Sequence, residues 1–399
     1  MRKLLKRIGT GLLFLAIALS LAPTLVPPFL DRIYYRGPIS GHYDGERFFN
    51  PGGAESRGGS PARFVNRILG SDQRAEWPER VAVPPYKPSL TTELCSAGTY
   101  DLERSIRCQV VQNSDAMEVT WIGHATALVQ VNGLNILTDP IWSERASPFD
   151  FVGPKRVRAP GIPFEQLPPI DLVLVSHNHY DHLDLPTLKR LWERDRPLIV
   201  TSLGNEAILR DAGIPAQAAD WGETVSKARA CAASIDPCDP GSIDVTVLRN
   251  HHWGSRWGTD RNRALWSAFT VTLPGGNIFF AGDTGWGDGS WVREAAGHGP
   301  FRLAILPIGA YAPRDFMRTN HVDPAEAVRM FEILKPARAL GMHWGTFQLT
   351  FEPIDEPWQR LEALKRQRGI PAASFVATQP GEALQVPPLP SRPGATRTR

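Results

Sequence analysis

The chain has 399 residues, of which 42% are hydrophobic, 21% charged and 9% aromatic, and this composition excludes a largely disordered or fibrous protein. Its net charge of +3 is too small for a dedicated nucleic-acid-binding protein, so we expect no nucleic-acid partner. One segment alone is apolar enough to enter a bilayer, which excludes a multi-span membrane protein.

Residues 1–30 predict an export signal or membrane anchor. Basic residues at positions 2, 3, 6 and 7 precede an uncharged, mostly apolar run from Ile8 to Ala22. An uncleaved anchor and a cleaved signal peptide both fit this pattern, and a core helix is the remaining alternative. We therefore expect a cell-envelope protein whose body is exported, either anchored in the inner membrane or released to the periplasm or the medium.

Residues 31–116 are rich in Gly, Pro and Arg and show little periodicity, so we interpret them as an extension that wraps the main domain. Residues 117–386 form the predicted catalytic domain. Residues 387–399 are rich in Pro and Arg and predict a disordered tail.

Two runs of short apolar strands, separated by helices, fill the predicted catalytic domain. The first run is Glu118–Ile122, Ala127–Val131, Asn135–Leu137, Asp171–Val175 and Leu198–Thr201, with a hairpin turn at Asn132-Gly133 and helices over Leu185–Arg194 and Glu206–Asp211. The second run is Ile243–Leu248, Ala264–Leu273, Asn277–Ala281 and Leu303–Pro307, followed by helices over Ala325–Leu334 and Glu356–Arg368. This order predicts a two-sheet, layered α/β fold.

The four cysteines form two local pairs. Cys95 and Cys108 lie thirteen positions apart, and Cys231 and Cys238 seven apart, which does not match the spacing of a zinc knuckle. In an exported chain these pairs predict two disulfides, with four buried thiols as the alternative.

The strongest chemical signal is Ser176–His182, with the sequence SHNHYDH, directly after a buried strand. Its potential metal ligands are His177, His179, Asp181 and His182. Imidazole suits zinc, and a carboxylate among imidazoles suits a second divalent ion. A histidine-rich surface loop is the alternative, which the His-x-His-x-Asp-His spacing disfavours.

Three later positions could complete two metal sites. They are His251 or His252, then Asp283, and finally His343 after the apolar strand Ala339–Met342. Each alone is equally consistent with a capped loop or a hydrogen-bonded histidine. Together they follow strand ends, where α/β folds place their sites.

The His-x-His-x-Asp-His motif resembles the metallo-β-lactamase superfamily of two-metal hydrolases, and longer stretches resemble its N-acylphosphatidylethanolamine-hydrolysing phospholipase D family. Those stretches are WIGHAT from Trp121, LTDPIW from Leu137, ASPFDFVGPKR from Ala146, LPPID from Leu167, HW at His252, ALWS from Ala264, FFAGDTG from Phe279, PIGAY from Pro307, HVDP from His321 and HWGTF from His343. The resemblance covers roughly Glu118 to Phe351. It implies an αββα four-layer sandwich and two zinc ions per chain.

The resemblance also implies a role for each ligand. One zinc ion would be held by His177, His179 and His252, the other by Asp181, His182 and His343, and Asp283 would bridge them. His252 is preferred to its neighbour His251 because the family's ligand directly precedes a tryptophan, here Trp253.

Other residues receive roles from the same resemblance. His321 would lie at the rim of the site as a substrate-binding residue or proton donor, with an ordinary histidine at the start of a helix as the alternative. Tyr311 would contact substrate. His124 and Asp139 would support ligands from behind, with a structural turn as the alternative. Three tryptophans either form the floor of an apolar pocket or belong to the core: Trp253, Trp286 and Trp344.

The activity that the resemblance implies is phospholipase D-type cleavage of N-acylphosphatidylethanolamine to phosphatidic acid and an N-acylethanolamine, with a metal-bridging hydroxide as the nucleophile. The partners would be a membrane phospholipid and the membrane surface, and a homodimer stays open. A lactone, ester or β-lactam hydrolase is the alternative, with a nuclease as a weaker one. An envelope protein with a vestigial metal site is the non-catalytic alternative.

Overall fold

A computed structural model describes residues 9–18, 32–52, 74–87, 116–228 and 242–389. The predicted disulfides Cys95–Cys108 and Cys231–Cys238 lie outside these ranges. Residues 9–18 are helical. Among the described residues, no helix has the length and apolarity needed to cross a membrane.

Two seven-stranded sheets form the centre of the molecule. The first sheet contains β1 (Met117–Gly123), β2 (Thr126–Val131), β3 (Leu134–Thr138), β4 (Leu172–Val175), β5 (Leu198–Ser202), β6 (Gln217–Ala219) and β14 (Ala383–Val386), in the order β14-β1-β2-β3-β4-β5-β6. The second contains β7 (Thr224–Ala228), β8 (Ser242–Leu248), β9 (Ala268–Thr272), β10 (Asn277–Phe280), β11 (Phe301–Pro307), β12 (Arg338–Met342) and β13 (Phe375–Val376), in the order β13-β12-β11-β10-β9-β8-β7.

Helices cover the outer faces of both sheets. They are α1 (Leu185–Asp195), α2 (Asn205–Asp211), α3 (Ser290–Ala296), α4 (Arg314–Met317), α5 (Pro324–Leu334) and α6 (Glu356–Arg368). Helix α5 begins as its sequence predicts, because the Asp323 carboxylate caps the backbone N–H groups of Ala325 and Glu326 and Pro324 occupies the first turn.

Strand β4 shows how the layers are held together. Leu172 and Leu174 belong to the core between the two sheets, whereas Val173 and Val175 pack with Leu188 of α1 on the other face. A strand buried on both faces needs this continuous apolar sequence. Since α3 and α6 pack against α5, and α5 against β11, the four layers run helix, sheet, sheet, helix, and the fold class is the αββα sandwich that the resemblance implies.

The structure corrects one predicted strand. The predicted strand Ala264–Leu273 is shorter, because Leu265 and Ser267 bind the carbonyl groups of Leu203 and Ser176 instead of joining the β8–β9 pairing. Residues 387–389, at the start of the predicted tail, contact the domain. There the guanidinium group of Arg302 donates to the Pro387 carbonyl at 3.0 Å.

The described parts of the N-terminal extension lie against the catalytic domain. Tyr34 donates from its hydroxyl to Asp260 at 2.8 Å, and Asn50 donates from its side-chain amide to the His252 carbonyl at 2.8 Å. Farther along, the Trp77 indole donates to the Glu352 carbonyl at 2.8 Å. The extension therefore contacts the loop that carries a predicted metal ligand.

Candidate metal centre

The predicted ligands come from loops that follow four strands. The segment with His177, His179, Asp181 and His182 follows β4. His252 follows β8, Asp283 follows β10, and His343 follows β12 directly. The structure brings all seven side chains into one cluster between the ends of the two sheets, in which His179 and Asp181 are partly exposed and the other five are buried.

The first predicted ligand group consists of three histidines. The Nε2 atom of His177 lies 2.8 Å from Nδ1 of His179, and the ring of His252 lies 4.6 Å from that of His177, centroid to centroid. Donor atoms of all three lie within 4.8 Å of one another. His252 contacts the Asn320 carbonyl through Nδ1 at 2.9 Å, so its Nε2 faces the cluster.

The second predicted group contains Asp181, His182 and His343. Oδ2 of Asp181 lies 3.4 Å from Nε2 of His182 and 3.6 Å from Nε2 of His343. His124 donates to this same oxygen from Nε2 at 2.8 Å. His124 therefore contacts a predicted ligand, and it lies close enough to bind a metal itself.

Asp283 lies where a bridging carboxylate is expected. Its Oδ2 is 3.0 Å from Nε2 of His182 and 3.0 Å from Nε2 of His343, both of the second group. The same oxygen is 3.9 Å from Nε2 of His252, a member of the first group. A single carboxylate thus contacts both groups of ligands.

Asp139 holds the metal-binding segment from behind. It accepts hydrogen bonds from Nδ1 of His182 at 2.6 Å and from the backbone N–H and hydroxyl of Ser176 at 2.7 and 2.6 Å. The Ser176 hydroxyl also lies 2.9 Å from Nδ1 of His177. This role of Ser176 is not evident from the sequence, because it depends on the approach of Asp139 from the end of β3.

Three residues of the site have left-handed backbone conformations that non-glycine residues seldom adopt. The φ angles are 54° at His124, 32° at Asp139 and 65° at His343. Backbone strain of this kind is tolerated where the surroundings fix a side chain for function.

Opposite charges in this buried cluster shift its pKa values in opposite directions. Burial opposes ionisation of Asp283, but the neighbouring His182 and His343 outweigh it and hold the pKa of Asp283 well below its ordinary value. Burial likewise opposes protonation of His343, but Asp283 and Asp181 raise the pKa of His343 to about 9. Burial lowers the pKa of His179 to about 3, which keeps that imidazole neutral.

The residues fit a pair of divalent metal ions. The buried atoms Nε2 of His179, Nε2 of His252 and Oδ1 of Asp283 have no hydrogen-bond partner within the described part of the chain. Buried polar atoms without partners are costly unless a ligand satisfies them. Imidazole nitrogens and carboxylate oxygens are the donors that zinc and similar divalent ions take.

The three remaining candidates, His251, His321 and Tyr311, differ in their position relative to the ligand cluster. His251 contacts the Thr319 carbonyl through Nδ1 at 3.0 Å and belongs to none of the ligand groups, which agrees with the preference for His252. His321 is buried instead of lying at the rim, with its Nδ1 3.9 Å from Oδ2 of Asp283. Tyr311, the predicted substrate contact, is buried and donates its hydroxyl to Glu356 at 2.7 Å.

An αββα sandwich with this His and Asp cluster at its strand ends defines a metal-dependent hydrolase. Residues 134–344 match the family model described as the β-lactamase superfamily domain. The chain is 38% identical over 266 residues to N-acyl-phosphatidylethanolamine-hydrolyzing phospholipase D 1 of Caenorhabditis elegans, covering 66% of this chain and 74% of the relative. The chain belongs to the metallo-β-lactamase superfamily and, within it, to the family of these phospholipases.

Two further similarities agree with this assignment. The mitochondrial N-acyl-phosphatidylethanolamine-hydrolyzing phospholipase D of Saccharomyces cerevisiae is 34% identical over 324 residues, which cover 79% of this chain and 66% of the relative. The crystal structure of a possible metal-dependent hydrolase from Veillonella parvula superposes with a TM-score of 0.51 at 15% identity, covering 67% of this chain and 98% of the other. The latter supports the fold alone.

Proposed function

We propose that the protein is a two-zinc phosphodiester hydrolase that cleaves N-acylphosphatidylethanolamine to phosphatidic acid and an N-acylethanolamine. The observation that carries this proposal is the contact of the Asp283 carboxylate with both ligand groups. Such a shared ligand suits two adjacent metal ions. The relatives named above are described by this reaction, which favours it over other chemistry on the same fold.

A pair of zinc ions supplies a hydroxide nucleophile at neutral pH and neutralises charge on a phosphoryl oxygen. One ion would be held by His177, His179 and His252, the other by Asp181, His182 and His343. Asp139 fixes the ring of His182, because it accepts the Nδ1 hydrogen and leaves Nε2 directed at the cluster.

His321 is suited to hydrogen-bond the substrate next to this centre. Burial lowers the pKa of His321 to about 3, so its imidazole is neutral at pH 7. A neutral imidazole donates one hydrogen bond and is a poor source of a full proton. We therefore assign His321 the role of hydrogen-bond donor to a phosphoryl or leaving oxygen, in place of a charged proton donor.

An exposed apolar loop whose base connects with the centre supports a membrane lipid as substrate. Side chains of Phe149 and Phe151 are 50% and 75% exposed, and their rings lie 5.5 Å apart. Arg145 holds this loop by donating to the carbonyl groups of Asp150 and Gly153 at 3.0 and 2.6 Å. Exposed aromatic side chains on a fixed loop suit contact with a lipid surface.

Two contacts connect the base of this loop with the site. Arg156, at its base, lies 4.7 Å from the ring centroid of Phe347, and the ring of Phe347 packs edge-on against His124 at 5.2 Å. The basic and apolar N-terminal sequence also supports a location of the protein at the membrane of the cell envelope.

A panel of substrates tests the proposed function. Purified full-length protein is assayed on N-acylphosphatidylethanolamine, phosphatidylcholine, a lactone and a β-lactam, with and without chelator. We expect chelator-sensitive release of an N-acylethanolamine and phosphatidic acid. Turnover of the lactone or β-lactam alone would refute the phosphodiesterase assignment but would agree with a metal-dependent hydrolase. If a protein with full metal content turned over none of the four substrates, the proposed catalytic function would be refuted.

A further inference from the structure

A short stretch of the N-terminal extension around Asn50 lies on the loop that follows β8 and carries His252. The backbone N–H of Phe48 donates to the Asn262 carbonyl at 2.8 Å, so the stretch is also joined to the far end of this loop. Phe48 is buried and belongs to the same apolar cluster as Trp266. The extension is therefore fixed on this loop by packing as well as by hydrogen bonds.

Asn50 bonds the backbone of a predicted metal ligand directly. Its side-chain Nδ2 donates to the His252 carbonyl at 2.8 Å, and its Oδ1 accepts from the Trp266 indole at 3.2 Å. An indole N–H can only donate a hydrogen bond, so it requires the amide oxygen of Asn50 on its side. The amide nitrogen must then face the His252 carbonyl, and the side chain is held in one orientation.

His252 is consequently held at two points. The contact of its ring Nδ1 with the Asn320 carbonyl at 2.9 Å restricts the rotation of the ring. The bond from Asn50 restricts the peptide plane that follows the α-carbon, and with it the direction in which the side chain leaves the backbone. Together they fix the position of the buried Nε2, which has no hydrogen-bond partner within the described part of the chain. A metal ligand needs this kind of support to stay in its binding geometry.

The contact of Asn50 acts on one ligand group alone. The second described stretch of the extension also bonds a loop behind a ligand, but only several positions beyond His343, where Trp77 donates to the Glu352 carbonyl at 2.8 Å. Asn50 bonds the residue that carries the ligand, His252. A change at Asn50 should therefore affect the three-histidine group before it affects the second group.

We infer that Asn50 is a positioning residue of the metal centre, through which the N-terminal extension holds His252 in place for the ion of the three-histidine group. Asn50 acts through His252, and no contact of Asn50 with the other predicted ligands is needed. The inference rests on the two-metal centre of the proposed function, and it does not depend on which substrate that centre cleaves.

The test replaces Asn50 by aspartate, which has the same shape. At pH 8, where the new carboxyl group is ionised, Asn50→Asp keeps an acceptor for Trp266 but turns a second oxygen towards the His252 carbonyl. Two facing acceptors repel each other, so the affinity of the three-histidine group for its ion should fall about tenfold, within the usual effect of losing a partner behind a ligand. Asn50→Ala removes the bond without this repulsion and should cause a smaller loss.

Asn277→Asp is the matched control. Asn277, at the start of β10, is also half-buried, and its Nδ2 donates to the His298 carbonyl at 2.8 Å. Its Oδ1 accepts from the Leu273 backbone N–H at 3.3 Å. The control thus removes the same kind of bond from a residue that is not a predicted ligand, and its metal affinity should equal that of the wild type.

Binding is measured on the full-length protein loaded with ¹¹³Cd, as chelator is added in steps. In a proton–¹¹³Cd correlation spectrum, the ion of the first group couples to the rings of His177, His179 and His252, and the other ion to those of His182 and His343. Support requires earlier loss of the three-ring signal in Asn50→Asp, with the two-ring signal and the control unchanged.

Two results would overturn the inference. One is a three-ring signal that resists chelator in Asn50→Asp as it does in the wild type. The other is parallel loss of both signals, which would show that Asn50 only stabilises the fold. Circular dichroism checks folding, and if Asn50→Asp does not fold, Asn50→Ala is judged by the same criteria.

This readout separates the inference from the proposed function because it needs no substrate. Selective loss of the three-ring signal in a protein that does not cleave N-acylphosphatidylethanolamine would contradict only the proposed reaction. A protein that cleaves the lipid while Asn50→Asp keeps the wild-type metal affinity would contradict only the role of Asn50.

Discussion

Replacement of Asp139 by asparagine tests how the second ligand group is held in place. Asp139 is fully buried and accepts three hydrogen bonds, from Nδ1 of His182 and from the backbone N–H and hydroxyl of Ser176. The asparagine has the same shape, but its amide NH₂ replaces one accepting oxygen and faces one of these donors. A buried donor left without a partner costs about 1–3 kcal/mol, and more when the partner was charged.

We therefore expect Asp139→Asn to fold and to bind one metal ion more weakly by about 10- to 100-fold, the usual effect of removing a partner behind a ligand. The assay measures retained zinc by elemental analysis after dialysis against graded concentrations of chelator. Asp211→Asn is the control, since Asp211 is an exposed residue paired with Arg32 at 3.9 Å. Unchanged zinc affinity in Asp139→Asn would refute the proposed support of His182.

Four further predictions concern the same centre and its framework. The variant Asp283→Ala should bind fewer than two metal ions per chain, because Oδ2 of Asp283 lies within 3.9 Å of members of both ligand groups. Two retained ions would contradict a bridging role. His321→Ala should keep both ions but lose about 10²- to 10³-fold in rate, the cost of removing one hydrogen-bond donor to a developing charge. Loss of metal would instead make His321 a ligand. Because the pKa of His343 is about 9 and that of His182 is raised well above its usual value, both hold protons at pH 7 in the metal-free protein. Zinc uptake should therefore release protons, and zinc affinity should rise with pH up to about 9. Calorimetry in buffers of different ionisation enthalpy measures the proton release, and zinc uptake without it would contradict these pKa shifts. Asp323→Ala should lower the free energy of unfolding by about 1 kcal/mol through loss of the α5 cap, as measured by denaturant titration, and unchanged stability would contradict the capping role.

The sequence predicts the convergence of the ligands because their signals are local. His177, His179, Asp181 and His182 lie in one short motif, and each distant candidate follows an apolar strand. The preference for His252 over His251 depended on the resemblance. Strands β8, β10 and β12 belong to the second sheet and β4 to the first, so position after a strand grouped the distant candidates, whereas the meeting of the two sheets is visible only in the structure.

The contacts that hold the site are not local, and the sequence does not reveal them. Asn50 binds the carbonyl of His252 across 202 positions of the chain, and Tyr34 binds Asp260 across 226. Likewise, the burial of His321 and the engagement of Tyr311 by Glu356 depend on how α4, α5 and α6 pack. Such pairings leave no periodic or spacing signal.

Short edge strands were missed for a different reason. Strand β14 (Ala383–Val386) has only one fully buried residue, and it joins the first sheet through pairing with β1 at the other end of the domain. The segment 264–267 is apolar enough to predict a strand, but its N–H groups bind Leu203 and Ser176. Apolar sequence indicates burial there without indicating which partner the backbone takes.

Hydrolysis of N-acylphosphatidylethanolamine in ¹⁸O-labelled water tests the proposed reaction most directly. Attack of water on phosphorus, with departure of the N-acylethanolamine oxygen, places the label in phosphatidic acid and leaves the N-acylethanolamine unlabelled. We predict this labelling for the zinc-loaded protein and no product after chelation. Label in the N-acylethanolamine, or in a released fatty acid, would contradict phosphodiester hydrolysis at this centre.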